Sequence, residues 1–219
     1  MIRRIIGLHY SPLGGTAKIT ERIMREIATE LDKVSVADIS YSCCDMLDVL
    51  NGIAETPQFD EETIAIIGMP VRVGKIPLPA IKLLRQIDGQ GAMTIALVSY
   101  GTPSYGNALY ELYSYADELG FTVVGAGAFV AKHGKNLDLK RPDLSDVEAM
   151  EEFSRAVSRK LARLHGSDIE GLRIKPAPLM LAGKMPVHRV SKYSPKAAAI
   201  AELTFEKTNF RRREPEWFL

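Results

Sequence analysis

A short loop near the N-terminus combines hydroxyl side chains with two adjacent glycines. The loop spans residues 11–16 (SPLGGT), and apolar positions at helical spacing follow it from Ile19 to Leu31. The first N–H groups of a helix have no intrahelical partner, and the helix dipole adds positive potential there. The loop therefore predicts a cradle for a phosphate group, although a plain strand-to-helix turn explains the same residues.

The loop differs from two common nucleotide-binding motifs. It lacks the Lys-Ser/Thr ending of a nucleoside-triphosphate loop, and it lacks the three-glycine dinucleotide fingerprint. The terminal phosphate of a mononucleotide is therefore the better match. The residues predicted to line this part of the site are Ser11, Leu13, Gly14, Gly15, Thr16 and Ala17.

Two later loops combine glycines with apolar or aromatic residues. Apolar walls and backbone amides, as in residues 68–77, suit a flat flavin ring, and Tyr105 in residues 99–107 is a candidate for stacking on it. A flexible peptide at Gly74 can flip as the flavin N5 gains a proton, although a simple turn explains this glycine equally well. The predicted ring-contacting residues are Pro70, Val71, Val73, Gly74, Ser99, Tyr100, Gly101, Tyr105, Gly106 and Asn107.

Apolar runs alternate with amphipathic segments along the chain and predict the elements that position these loops. The predicted strands are residues 5–10, 34–39, 63–68, 93–100 and 121–131. Helices are predicted from residue 17 onward and at 79–87, 106–120 and 145–164, with a short helix between residues 41 and 62 and a capping box at Ser145 and Glu148.

Strands that are apolar along their whole length must be covered on both faces, which predicts an α/β fold with a doubly wound parallel sheet. The order 2-1-3-4-5 suits five such strands, and ligands bind such sheets at the carboxyl ends of the strands. The three loops follow the first, third and fourth predicted strands. We therefore expect them to meet at one edge of the sheet.

The composition limits the other classes of function. The chain has 219 residues, and its 28 basic and 27 acidic residues leave a net charge of +1, so no global field favours nucleic acid. No run of about 18 apolar residues predicts a membrane span. We expect one domain at residues 1–166 and an irregular extension at 167–219 that covers the sheet or contacts a partner subunit.

The cysteines and two histidines predict little chemistry. Cys43 and Cys44 are adjacent, which strains a mutual disulfide and leaves too few thiolates for a zinc or iron–sulfur site. We therefore predict no metal site, a reducing cytoplasmic setting and two cysteines that behave as small buried apolar residues. His9 is expected to pack inside the fold. His133 is expected to be a surface residue, with a role as a proton donor as the less favoured alternative.

Taken together, the loops resemble those of flavodoxins. Residues 10–16 (YSPLGGT) resemble the flavodoxin phosphate signature, and residues 68–77, 99–109 and 129–134 are similar to the flavodoxin domain of ferredoxin-associated flavodoxin-domain proteins. The resemblance covers roughly residues 1–165. It implies a flavodoxin-like three-layer sandwich that binds flavin mononucleotide (FMN) non-covalently, with Ser11, Gly14, Gly15 and Thr16 at the phosphate.

The chain departs from that family in two ways. Leu13 replaces the hydroxyl residue common in the phosphate signature, which removes one phosphate donor. The cysteine-rich cluster motifs of the longer members are missing after Cys44, so the clusters were lost, lie on a separate subunit, or follow in a longer chain.

The resemblance implies an electron-transfer protein that needs no catalytic acid or nucleophile. Its partner is then a redox protein such as a ferredoxin, and a homodimer is left open. The same features leave two alternatives. One is an FMN-dependent reductase that oxidises NADH or NADPH and reduces a quinone or small acceptor, and the other is a flavin-free binding module that kept the fold.

Overall fold

The computed structural model describes residues 2–33, 38–101, 104–131, 141–163, 169–174 and 216–219, and these contain one six-stranded sheet. The strands are β1 (Arg4–His9), β2 (Ser40–Asp45), β3 (Thr63–Pro70), β4 (Met93–Tyr100), β5 (Thr122–Val130) and β6 (Glu216–Phe218). The helices are α1 (Gly15–Asp32), α2 (Met46–Leu50), α3 (Leu78–Leu84), α4 (Ala108–Glu118) and α5 (Leu144–Leu161), with a 3₁₀ turn at Glu170–Leu172. The sheet order is β2-β1-β3-β4-β5-β6.

Strands β1 to β5 are mutually parallel, which confirms the predicted order 2-1-3-4-5. Helices cover both faces of the sheet. Ile64 and Ile66 of β3 belong to a buried cluster with α1 and α5, whereas Ala65 and Ile67 belong to a second cluster with α3 and α4. The alternation of side chains along a strand therefore builds the predicted three-layer α/β sandwich. None of the helices in the described ranges combines the length and apolar character that a membrane span requires.

The prediction for the second strand was wrong. Residues 34–39 were expected to form it, but β2 is Ser40–Asp45. Residues 38 and 39 are outside any strand, and residues 34–37 lie outside the described residues. Strand β2 lies at the edge of the sheet, and most of its residues are exposed. An edge strand needs no continuous apolar run, because one neighbour and one covered face are enough to hold it.

The cap of α5 also differs from the prediction. The N-cap is Asp143, whose Oδ1 accepts a hydrogen bond from the N–H of Asp146 at 3.1 Å, while Asp146 Oδ2 accepts one from the N–H of Asp143 at 2.8 Å. The Ser145 hydroxyl donates to Asp143 Oδ1 instead of capping the helix. Asp143/Asp146 and Ser145/Glu148 both have the spacing of a capping box. The observed box is Asp143/Asp146, in which Asp146 also forms an ion pair with Arg141.

Two pieces of the C-terminal extension pack against the sheet. The N–H of Ile174 donates to the carbonyl of Val123, and Ile174 is buried. The antiparallel strand β6 pairs with β5, and the Trp217 ring lies 6.0 Å from the Phe153 ring. The sequence did not predict this sixth strand. Residues 175–215 of the extension lie outside the described residues, and the domain boundary stays a prediction.

Helix α1 approaches β3 closely at one glycine. A Cβ atom on Gly68 would lie 1.9 Å from Thr20 Oγ1, and the Thr20 hydroxyl donates to the carbonyl of Thr16 at 2.9 Å. Thr20 is completely buried, so its hydroxyl has no free space to move into. Glycine at position 68 is therefore required for α1, the helix that begins at the first loop, to pack this closely on β3.

We expect Gly68→Ala to lower the free energy of unfolding by about 1 to 3 kcal/mol, because the added methyl group overlaps the Thr20 hydroxyl. Urea unfolding of the two single variants and of Gly68→Ala/Thr20→Ala measures the coupling. The double variant should be more stable than the sum of the single effects predicts. Strict additivity would show that this contact does not set the position of α1.

Candidate functional site

The carboxyl ends of β1, β3 and β4 bring the three predicted loops together. The N–H of Tyr10 donates to the carbonyl of Gly68 at 3.2 Å, and the N–H of Val71 donates to the carbonyl of Ser99 at 2.9 Å. The Oγ1 atom of Thr16 lies 2.7 Å from Ser99 Oγ, and both hydroxyls are buried. The first loop therefore contacts the ends of both β3 and β4, as the parallel topology predicts.

Helix α1 begins directly after Gly14, whose φ of 77° lies in the left-handed region that glycine adopts without strain. Gly14 has no side chain to cap the helix, and the first turn contains no acidic residue. Within the described part of the chain, the N–H groups of Gly15 and Thr16 meet no acceptor. Two donors at the positive end of a helix are thus available to an anion.

The remaining predicted residues of the first loop have different surroundings. Ser11 is buried, and its Oγ accepts a hydrogen bond from the N–H of Ala17 at 2.9 Å. The N–H of Ala17 is therefore already used, whereas the Ser11 hydroxyl proton can still be donated. The Leu13 side chain is 88% exposed, so it projects into solvent beside the start of the helix.

The second loop contains a strained two-residue turn. Val73 and Gly74 have φ values of 52° and 69°, and the flanking Arg72 and Lys75 exchange both of their backbone hydrogen bonds. This is the geometry of a tight hairpin turn with two left-handed residues. A β-branched residue such as Val73 adopts that conformation only at a cost, and strain of this kind is concentrated at functional sites.

The second and third loops touch through two glycines. The carbonyl of Gly74 accepts a hydrogen bond from the N–H of Asn107 at 2.8 Å. A Cβ atom on Gly106, where φ is 55°, would lie 2.5 Å from the Cα atom of Gly74. Glycine at position 106 therefore permits the contact. The predicted flip of the Gly74 peptide would break the hydrogen bond to Asn107.

A glutamate on α4 anchors the second loop. Glu111 Oε2 accepts a hydrogen bond from the N–H of Ile76 at 3.0 Å, and Glu111 Oε1 lies 3.5 Å from Lys75 Nζ. Burial raises the pKa of Glu111, and the N–H of Ile76 and the charge of Lys75 partly oppose that rise. Sequence reasoning missed Glu111, because nothing in its spacing indicates that it reaches residues 35 positions earlier.

The two tyrosines of the third loop face the core. Tyr100 and Tyr105 are 3% and 2% exposed, and their rings pack edge to face with centroids 5.6 Å apart. The Tyr105 ring is therefore not presented for stacking on a ligand in this structure, contrary to the expectation for it. Residues 102 and 103 lie outside the described residues.

One acceptor of the third loop is unsatisfied. Asn107 is 5% exposed, and no hydrogen-bond partner for its buried Oδ1 atom is found among the residues that the structure describes. Buried polar atoms are nearly always hydrogen-bonded, so an orphaned acceptor here fits a donor from a bound group. Gly101 is buried directly after the end of β4, and Pro70, the last residue of β3, pairs with Ser99.

The cysteines only partly match the prediction. Cys43 lies on the exposed edge strand and Cys44 is half-buried, so neither is fully buried. The Cys43 sulfur nevertheless points inward, because a Cβ atom on Gly7 would lie 2.8 Å from it, and burial raises the pKa of Cys43 to about 12. His9 is 4% exposed and packs as expected, whereas His133 lies outside the described residues.

Comparisons with known proteins identify the fold. The sequence matches no protein-family model and no curated protein. Among solved structures, an archaeal flavodoxin is 20% identical, with a TM-score of 0.50 over 72% of this chain and 98% of its own. An oxidoreductase from Corynebacterium diphtheriae is 11% identical, with a TM-score of 0.52 over 74% of this chain and 95% of its own.

These similarities establish a flavodoxin-like fold for the chain, as the resemblance of its loops implied. The two matches cover 72% and 74% of the chain. The narrower resemblance to ferredoxin-associated flavodoxin domains stays a prediction.

We expect the Glu111 carboxyl to produce a pH-dependent difference in stability between the protein and Glu111→Gln. Because the folded-state pKa is raised, the protein gains stability relative to the variant as pH falls through that pKa, and loses it as pH rises. Urea unfolding at a series of pH values measures the difference. Glu118→Gln, at an exposed position of the same helix, is the matched control, and an identical pH profile for both variants would contradict the assignment.

Proposed function

We propose that the chain is an electron-transfer flavoprotein that binds one FMN non-covalently at the loop edge of the sheet. The observation that carries the proposal is the pair of N–H groups at Gly15 and Thr16, which meet no acceptor in the described part of the chain. They stand at the start of an 18-residue helix without an acid in its first turn. A phosphate dianion matches that environment in charge and in hydrogen bonding.

Several residues of the chain fit the parts of FMN. Gly15 and Thr16 would donate their N–H groups to the phosphate, and the Ser11 hydroxyl proton is free to join them because the Ser11 oxygen already accepts from Ala17. The buried Asn107 Oδ1 would accept from a ribityl hydroxyl or a ring N–H. The half-buried side chains of Val71 and Val73 offer an apolar surface between the second and third loops.

When bound, FMN supplies the one- or two-electron chemistry, and the protein supplies position and electrostatics. The chain's own contribution is clearest at Gly74. Its carbonyl accepts from the Asn107 N–H, and the Lys75 N–H of the same peptide donates to the carbonyl of Arg72, so reorienting this peptide breaks two hydrogen bonds that contribute about 1 kcal/mol each. We therefore expect Asn107 to influence which orientation of the Gly74 peptide the protein prefers.

The alternative function is an FMN-dependent reductase that takes a hydride from NADH or NADPH. The similarity of the fold to the Corynebacterium oxidoreductase supports keeping this candidate. For the carrier, we further propose a redox protein such as a ferredoxin as partner. The two functions differ in whether a nicotinamide is consumed without a second protein.

Purification followed by a visible spectrum and titration with FMN tests the proposal. Saturable binding with about one FMN per chain supports it, whereas a colourless protein without saturable binding contradicts it and favours the flavin-free module. Steady-state oxidation of NADH and NADPH by the FMN-loaded protein then separates the two functions. A carrier should show almost no turnover with small acceptors, and sustained turnover would establish the reductase.

Leu13 offers a direct test of where the phosphate binds. We expect Leu13→Glu to weaken FMN binding by about threefold to tenfold at low salt, because it adds a negative charge beside the helix start. Riboflavin, which has no phosphate, should bind the protein and the variant equally. Leu13→Gln has nearly the same shape without the charge and should bind both ligands normally. Equal losses for FMN and riboflavin would contradict a phosphate at α1.

A further inference from the structure

A second group of polar side chains lies between α1 and the edge of the sheet, next to the first loop. His9 at the end of β1, Glu21 on α1 and Cys43 on β2 each place one potential ligand atom within 4.8 Å of the other two. Across the described residues, this is the one group of three or more histidine, cysteine and acidic side chains close enough to share an ion.

The topology of the sheet creates this group from distant parts of the sequence. The parallel register pairs Gly7 with Cys43 and His9 with Asp45, so these four residues lie on the same face of β1 and β2. Helix α1 packs on that face. Glycine at position 7 leaves the space into which the Cys43 sulfur points. The thiol is thereby directed toward α1, although β2 is an exposed edge strand.

His9 is the most deeply buried of the three side chains. The side chain is 4% exposed, and within the described residues its buried Nδ1 atom has no hydrogen-bond partner. The carboxylate of Asp45 is the nearest charged group, and its Oδ1 atom lies 3.8 Å from Nδ1, which is too long for a hydrogen bond. A metal ion on one ring nitrogen, with the other turned to a carboxylate, is the usual arrangement of a histidine ligand.

We propose that His9, Glu21 and Cys43 bind one divalent ion of the zinc class, with a water molecule as the fourth ligand. Imidazole and thiolate ligands favour Zn²⁺ over Mg²⁺ and Ca²⁺, and one carboxylate completes a mixed set. Cys43 binds as the thiolate and releases its proton to solvent. Zinc bond lengths place tetrahedral ligand atoms about 3.5 Å apart, whereas the ligand atoms of this group lie within 4.8 Å of one another. Movements of about 1 Å by the half-buried Glu21 side chain would therefore bring the ligand atoms to bonding distance.

Such an ion would link three elements at one point. It would join His9 at the end of β1 to the edge strand β2 and to the second turn of α1. His9 is two residues before Ser11 of the first loop. Binding only to the folded protein would raise its thermal unfolding temperature. The site is separate from the N–H groups of Gly15 and Thr16, so its test does not depend on flavin binding.

Equilibrium dialysis of the full-length, untagged protein against Zn²⁺ tests the proposal. We expect about one zinc ion per chain and a rise in the unfolding temperature. Co²⁺ should give a thiolate-to-cobalt absorption band in a difference spectrum against the metal-free protein. Absence of saturable zinc binding would overturn the proposal.

Three variants locate the ion. We expect Cys43→Ala to abolish the cobalt band, and both Cys43→Ala and Glu21→Gln to weaken zinc binding by at least about tenfold. Cys44→Ala is the matched control, because the next residue of the strand faces the other side of the sheet and should keep full affinity. Full affinity in Cys43→Ala, or an equal loss in Cys44→Ala, would overturn the site. If Cys43→Ala fails to fold, Glu21→Gln on the helix surface decides the question.

Discussion

The close contact between α1 and β3 at Thr20 and Gly68 is the constraint on which the candidate site depends. A methyl group at position 68 has no room there, so the helix lies as near the strand as the backbone permits. The Thr16 and Ser99 hydroxyls connect the first turn of the same helix to β4. The outward N–H groups of the helix are therefore held in a fixed position relative to the two loops that follow β3 and β4.

Much of the fold could be predicted because buried parallel strands have a strong pattern. Strand β4 begins and ends at the predicted residues, and the carboxyl-end loops follow directly from the strand order. The prediction failed where that pattern is weak. An exposed edge strand such as β2 needs no apolar run, and β6 is three residues long and separated from the sandwich in sequence. The orientation of Tyr105 depends on packing against Tyr100, which spacing does not reveal.

Side-chain groups that join distant segments could not be predicted from spacing along the chain. The number of cysteines bears only on metal sites built from thiolates. His9, Glu21 and Cys43 form a mixed group, and they come together through strand register and the packing of one helix. Glu111 similarly reaches the second loop from another element. Val73 is the opposite case, because a β-branched residue in a left-handed turn goes against local preference and its conformation appears only in the folded chain.

The two pieces of the C-terminal extension that pack on the sheet both attach to β5. Ile174 bonds to Val123 near the start of that strand, and Phe218 pairs with Ala126 three residues further along. Residues from the far end of the chain therefore pair with β5 on the side opposite β4. The pairing covers the backbone groups of β5 from Ala126 to Ala128 that a strand at the edge of a sheet would leave open to a second chain.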